Sequence, residues 1–174
     1  MLGWAIGRWL GIEPWAQLQL APMAAILGVA ASVPLLLGLR WTLTTPVRPV
    51  RDLVELVQDQ LGPVLASRSA TELAVLAALA GAAEEILFRG VLQVGLARVL
   101  PEGLALVLTG AAFGLAHFVT PTYALLAGLA GVYLGVLFWL QGNLLVPIVA
   151  HGLYDFVALT YLVRRYRATM DTRD

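Results

Sequence analysis

The chain has 174 residues, 60% of them hydrophobic and only 13% charged, with a mean hydropathy of +0.83. Such a composition excludes an ordinary soluble domain and reads as an integral membrane protein. A formal net charge of zero leaves no basic surface for nucleic acid, and the lack of cysteine excludes disulfides, thiolate metal sites and a cysteine nucleophile.

The first stretch, MLGWAIGRWLGIEPW, is interrupted by Arg8 and Glu13 and has no cleavage-site pattern. It fits a membrane-surface helix or part of a short span. Five later stretches are apolar enough to cross a hydrocarbon core of about 30 Å, which needs about 20 helical residues. They are residues 21–39 (with Pro34 as an expected kink), 72–100, 103–119, 123–140 and 144–163. Between the first two lies the one sizeable polar segment, residues 40–69. In it, PVRDLVELVQDQL sets Val50, Leu53, Val54, Val57 and Leu61 at helical spacing, with Arg51, Asp52, Glu55, Gln58 and Asp59 on the other face. Pro49 suits its start and Gly62-Pro63 its end, so an amphipathic surface helix is expected. A structural connector is its simpler role, and a substrate gate is the alternative. The links PE, TPT and QGN are so short that the last four spans must be antiparallel neighbours. The expected fold is an all-α polytopic membrane bundle of about five transmembrane helices plus the amphipathic helix. Residues 1–70 form the N-terminal span and connector, 71–165 the helical core, and 166–174 a polar tail.

All basic residues are arginine. Arg40, Arg48, Arg51 and Arg68 fall in the polar segment, and Arg164, Arg165, Arg167 and Arg173 follow the last span. Four spans separate the two groups, which places them on one side. The positive-inside rule makes that side cytoplasmic. A bacterial inner membrane is the expected location, with membrane lipid as the first partner; the oligomeric state is open.

Ionisable groups inside spans cost about 2.5–3.5 kcal/mol each on insertion scales and usually mark function. Here they are Glu84, Glu85, Arg89 and Arg98 in the second span, His117 in the third, and His151 and Asp155 in the fifth. Glu85 and Arg89, four apart with Glu leading, can neutralise each other. Glu84 points about 100° away from Glu85 and is left for chemistry. Asp155 shares a helix face with His151 and can orient the imidazole. Gly110 and Gly114, on the face of His117, have the close-packing spacing of membrane helices. Gly131 with Gly135, and Ala77 with Gly81, repeat it. A lone intramembrane His or Glu–Arg pair is commonly structural; ionisable groups gathered on three spans point to a shared site.

EEILFR at 84–89, FGLAH at 113–117 and HGLYD at 151–155 resemble, in order and setting, the motifs of the CPBP family of intramembrane proteases. That family includes the type II CAAX prenyl endopeptidases and bacterial Abi-type relatives. The resemblance covers about residues 72–163. It implies a helical bundle with a polar cavity open to the cytosol, in which Glu84, helped by His117, activates water. His151 and Asp155 would stabilise the oxyanion, and Glu85 and Arg89 would support. The prenyl proteases typically carry Asn where this chain has Asp155, and an ionised Asp cannot donate a hydrogen bond. The N-terminal part is also shorter than in longer members. The expected function is an intramembrane endopeptidase acting on a membrane-tethered peptide or protein. A catalytically silent membrane scaffold or immunity protein of the same fold is the alternative.

Glu84, His117 and His151 are also a zinc-type donor set. They come from three spans, with no His-Glu-x-x-His on one helix. Asp155 could serve His151 as an outer acceptor, and His117 shows no such partner. A metal-free site is therefore favoured, with zinc held by Glu84, His117 and His151 as the alternative. The span count has a direct check: reporter fusions after Ser69 and at the C-terminus should report the same side of the membrane, and opposite sides would remove the five-span reading.

Overall fold

The computed structural model describes residues 7, 8 and 11–172. The reading of residues 1–15 as a surface helix or short span falls largely outside them. Every regular element among the described residues is a helix, and the architecture is the expected helical bundle. In sequence order these are α1 (Pro22–Thr44), α2 (Arg48–Leu65), α3 (Ala70–Glu85), a π-helical segment (Ile86–Gln93), α4 (Val94–Ala97), α5 (Glu102–Ala116), α6 (Pro121–Gln141) and α7 (Leu145–Asp171). By length and apolarity α1, α6 and α7 can cross a membrane, and α5 is a shorter apolar helix. The α3–π–α4 run makes the remaining pass.

Helix α1 continues through Pro34. Proline lacks an N–H, so the Ala30 carbonyl loses its helical donor. The adjacent Ala31 carbonyl accepts from Tyr133 Oη of α6 at 2.8 Å. Gly28 brings α1 against α7, where an added Cβ would lie 2.8 Å from the Val146 carbonyl oxygen. Helix α2 is longer than the Gly62-Pro63 signal implied, running on to Leu65. Gly62 is needed inside it because the Tyr166 ring of α7 packs on its Cα. Val50 and Leu53 are buried as the apolar pattern implied, whereas Leu61 is 42% exposed. Gln58 Nε2 donates to the Leu162 carbonyl (3.2 Å) and Arg167 donates to the carbonyls of Ala66 and Arg68. The α2–α3 corner is thereby tied to α7. Arg164, Arg165 and Arg167 sit on α7 itself, which extends past the expected end at residue 163.

Ser69 and Glu72 cap α3 reciprocally: Ser69 Oγ accepts from the Glu72 N–H and the Glu72 carboxylate accepts from the Ser69 N–H. Such a box satisfies two of the four amides that a helix start leaves open. Helix α3 then runs antiparallel to α7 and crosses it at two glycines. A Cβ on Gly81 would stand 3.0 Å from Gly152 N and 3.2 Å from its Cα. Gly110 and Gly114 do the same for α5 and α6, where a Cβ on Gly114 would stand 3.0 Å from the Cα of Gly128. At 1.5 Å per residue, the 15 residues of α5 span only about 22 Å. The α5–α6 turn, where Thr120 caps α6 and Pro121 opens it, therefore comes level with Glu84, with Phe118, Val119 and Pro121 on its exposed side.

Gly81 sits one turn before Glu84, so its contact sets the distance from α3 to α7. Gly81→Ala should destabilise the protein by about 1–3 kcal/mol through overpacking against backbone, seen as a lower thermal midpoint in detergent. Unchanged stability would show that the two helices are not in close contact.

Candidate active site

Helix α3 ends at the glutamate pair, where the backbone widens into the π segment. Its broad turns put Arg89 and Gln93 on one side of the segment, facing α6. Arg89 Nη2 donates to the Gly131 carbonyl at 2.6 Å and Gln93 Nε2 to the Gly135 carbonyl at 3.1 Å. Both α6 positions require glycine for the approach: a Cβ on Gly135 would meet Gln93 Oε1 at 2.9 Å, and one on Gly131 would meet Phe113 Cβ at 3.0 Å. π-bulges concentrate at functional sites. Sequence reasoning misses both this one and Gln93, because the motif spacing reads equally well as an α-helix.

Glu85 and Arg89 are wholly buried. Arg89 Nη1 meets Glu85 Oε1 at 2.9 Å, which is the i,i+4 pairing expected. The same oxygen also receives His151 Nδ1 at 2.9 Å. Asp155, the expected neighbour of the imidazole on α7, stands at the other ring nitrogen, its Oδ2 3.5 Å from Nε2. Spacing along α7 identifies the neighbour but not the nitrogen, because Glu85 reaches in from another helix.

Glu84 faces the other way. Its Oε2 lies 3.4 Å from His117 Nε2 and 4.0 Å from His151 Nε2. The first is an ion-pair distance, longer than a well-formed hydrogen bond. It is also shorter than the roughly 4–6 Å across which a water bridges two groups. Glu84 and His117 keep 31% and 25% of their side chains exposed, in contrast to the sealed Glu85. His117 closes α5, where its backbone N–H bonds the carbonyls of Phe113 and Gly114. Its Nδ1 donates to the Phe113 carbonyl at 2.8 Å. So His117 does have an outer acceptor, contrary to the sequence reading. The signal is present in the sequence: the last carbonyls of a helix lack amide partners, and Phe-x-x-x-His places one of them beneath the imidazole.

Phe113 organises the surroundings. Its ring stacks on His117 (4.4 Å, 28°), meets His151 edge-on (5.8 Å) and Phe88 edge-on (4.9 Å), and lies 4.9 Å from the Arg89 guanidinium carbon. Glu84, His117, His151 and Asp155 all open onto one cavity of about 460 Å³ in the α2 half of the bundle. Its walls come from α1, α2, α3, α5, α6 and α7, and are apolar apart from this group, a few tyrosines, Thr42 and Gln58. Tyr123 and Tyr154, which flank the four residues, carry no motif that would single them out from sequence.

Among the zinc-type donors, Glu84 Oε2 and His117 Nε2 stand 3.4 Å apart and Glu84 Oε2 and His151 Nε2 4.0 Å, against about 3.4 Å between two ligands of a tetrahedral zinc ion. Among the described residues no group of three or more His, Asp or Glu side chains is arranged to hold a metal ion. Outer acceptors are present on both imidazoles, Phe113 O and Glu85.

The family model described as "Type II CAAX prenyl endopeptidase Rce1-like" matches residues 66–157, a stretch that holds Glu84, Glu85, Arg89, His117, His151 and Asp155. No curated protein and no solved structure matches the sequence. With more than half of the 174 residues matched, the protein belongs to the type II CAAX prenyl endopeptidase Rce1-like family, a family of proteases.

Proposed function

We propose that the protein is an intramembrane endopeptidase in which Glu84 activates a water for attack on a peptide bond. The observation that carries this is the division between adjacent glutamates: Glu85 is sealed and shared by Arg89 and His151, while Glu84 opens onto the cavity with an imidazole nitrogen 3.4 Å away. His117 has its Nδ1–H committed to the Phe113 carbonyl. In the neutral ring the Nε2 lone pair then faces Glu84, and a water on the cavity side of the pair can donate a hydrogen bond to the Glu84 carboxylate. As water oxygen bonds to the substrate carbonyl carbon, Glu84 takes its proton and the carbonyl becomes an oxyanion. The oxyanion falls to His151: with Nδ1–H held by Glu85, the doubly protonated ring has Nε2–H to donate. The proton on Glu84 then passes to the leaving nitrogen as the C–N bond breaks. Asp155, beside Nε2, positions that ring edge and is acceptor-only when ionised.

In this reading no metal takes part, a view supported by the donor arrangement among the described residues. The arginines of α1, α2 and α7 favour a cytoplasmic α2 end, and the cavity lies in that half of the bundle. A bacterial inner membrane is the proposed location, and a membrane-tethered peptide the substrate.

Reconstituted protein should cleave quenched fluorescent membrane peptides, and Glu84→Gln should abolish turnover with the fold intact. His117→Ala should come close to it. No turnover from folded wild type would favour the scaffold alternative, and turnover unchanged in Glu84→Gln would overturn the role given to Glu84. Glu85→Gln should act on stability instead, by about 3–5 kcal/mol, because Arg89 loses its carboxylate in a dry site. Equal loss of activity in two equally stable glutamate variants would overturn the division of labour. A strong chelator should leave activity unchanged; loss in folded protein, restored by zinc, would establish a metal enzyme.

A further inference from the structure

We propose that the hydroxyl of Tyr123, in the first turn of α6, is the second hydrogen-bond donor to the oxyanion, beside His151 Nε2–H. The proposal rests on the endopeptidase reading of the same cavity and completes its account of the oxyanion.

The site is short of donors. An oxyanion is stabilised most by donors fixed in place before the reaction. Of the four charged or imidazole groups on the cavity wall, Glu84 takes the proton of water. His117 has Nδ1–H on the Phe113 carbonyl and Nε2 turned to Glu84. An ionised Asp155 only accepts. His151 is the one donor left among them. Arg89 is sealed from the cavity, with its Nη atoms on Glu85 and the Gly131 carbonyl. The remaining polar side chains of the wall are Thr42, Gln58, Tyr123, Tyr154 and Tyr161. Thr42 donates to the Leu39 carbonyl and Gln58 to that of Leu162. Tyr161 stands ten residues along α7 from His151, about 15 Å at 1.5 Å per residue. Tyr123 and Tyr154 remain. Among the described residues neither hydroxyl has a protein hydrogen-bond partner, whereas that of Tyr133 is held by the Ala31 carbonyl.

Of the two, Tyr123 is the better placed. Its phenol feels the charges of both Asp155 and Glu84, whereas that of Tyr154 is coupled to Tyr123 and Asp155. The carbonyl under attack spans that same interval: its carbon faces the water on Glu84 and its oxygen faces His151, beside Asp155. The backbone under Tyr123 is also fixed. Thr120 Oγ1 accepts from its N–H at 3.1 Å, Pro121 opens the helix, and the phenol ring meets the His117 ring edge-on at 6.2 Å. The hydroxyl keeps its proton throughout. It donates to the oxygen as the carbonyl becomes an oxyanion, and the bond weakens again when C–N cleavage restores the carbonyl.

The test uses the full-length protein in liposomes and a quenched fluorescent membrane peptide. Two uncleavable peptides of the same sequence accompany it: a phosphonate at the scissile position, which mimics the tetrahedral anion, and an uncharged ketomethylene. Tyr123→Phe keeps the ring against His117 and removes only the donor. It should lower kcat by about 10²-fold with KM unchanged, as for loss of one oxyanion donor. It should weaken the phosphonate by a similar factor and leave the ketomethylene alone. The ratio of those two affinities, read on one sample, is insensitive to a partly unfolded fraction, which lowers both together. Tyr154→Phe should stay close to wild type in every measurement. An unchanged kcat and affinity ratio in Tyr123→Phe would overturn the proposal and leave the endopeptidase reading standing. So would a rise in KM alone, which marks a substrate contact, or an equal loss in Tyr154→Phe. No cleavage by folded wild type would remove both.

Discussion

The structure depends on a single carboxylate oxygen. Glu85 Oε1 takes a guanidinium N–H from its own helical run and an imidazole N–H from α7. Arg89, by its other nitrogen, holds a carbonyl of α6. One buried acceptor therefore joins the three passes that surround the site. Ion pairs in a dry interior offset a large desolvation cost only with good geometry and further hydrogen bonds; here Arg89 adds one to the Gly131 carbonyl, while Glu85 Oε2 and Arg89 Nε are buried with no hydrogen-bond partner. The arrangement also neutralises Glu85 locally, so that a second carboxylate can stand next to it in sequence with its charge directed at the cavity.

Close packing of backbone makes this possible. Paired glycines let α3 reach α7 and α5 reach α6. The acceptors of Arg89 and Gln93 are main-chain carbonyls, exposed sideways because α6 carries no side chain at those points. Where side chains do fill the space, Phe113 is the common neighbour, touching both histidines and the arginine at once.

Much of this is legible in the sequence, for physical reasons that differ by feature. Apolar runs of span length and short links determine the bundle, and charges confined to three passes identify Glu84, His117, His151 and Asp155 as neighbours, which the structure brings to one cavity. Helical spacing correctly pairs Glu85 with Arg89. It is silent where partners come from other helices or from the main chain: Glu85 holds His151 Nδ1, and the Phe113 carbonyl holds His117. Residue-type patterns carry no record of backbone acceptors or of which ring nitrogen faces which group. The Ser69–Glu72 capping box is readable from its four-residue pattern, although the span boundaries above make no use of it. The π segment is not readable, because a one-residue change in hydrogen-bond register leaves motif spacing unaltered. The extension of α7 to residue 171 is hidden by the arginines. They signal a membrane boundary, but they are also good helix formers.

The brevity of α5 has a consequence for the surrounding lipid. Its outer face is apolar, with Leu104, Val107, Leu108 and Leu115 exposed, yet its length of about 22 Å falls short of an average hydrocarbon layer of about 30 Å. Hydrophobic mismatch of this size draws the leaflet toward the short helix. The bilayer would then be thinnest beside His117, and headgroups and water would stand closer to the cavity than its depth along α3 implies. Membrane thickness itself becomes a variable of this protein: a thin, fluid bilayer suits it, and a thick, ordered one strains the turn that carries the histidine.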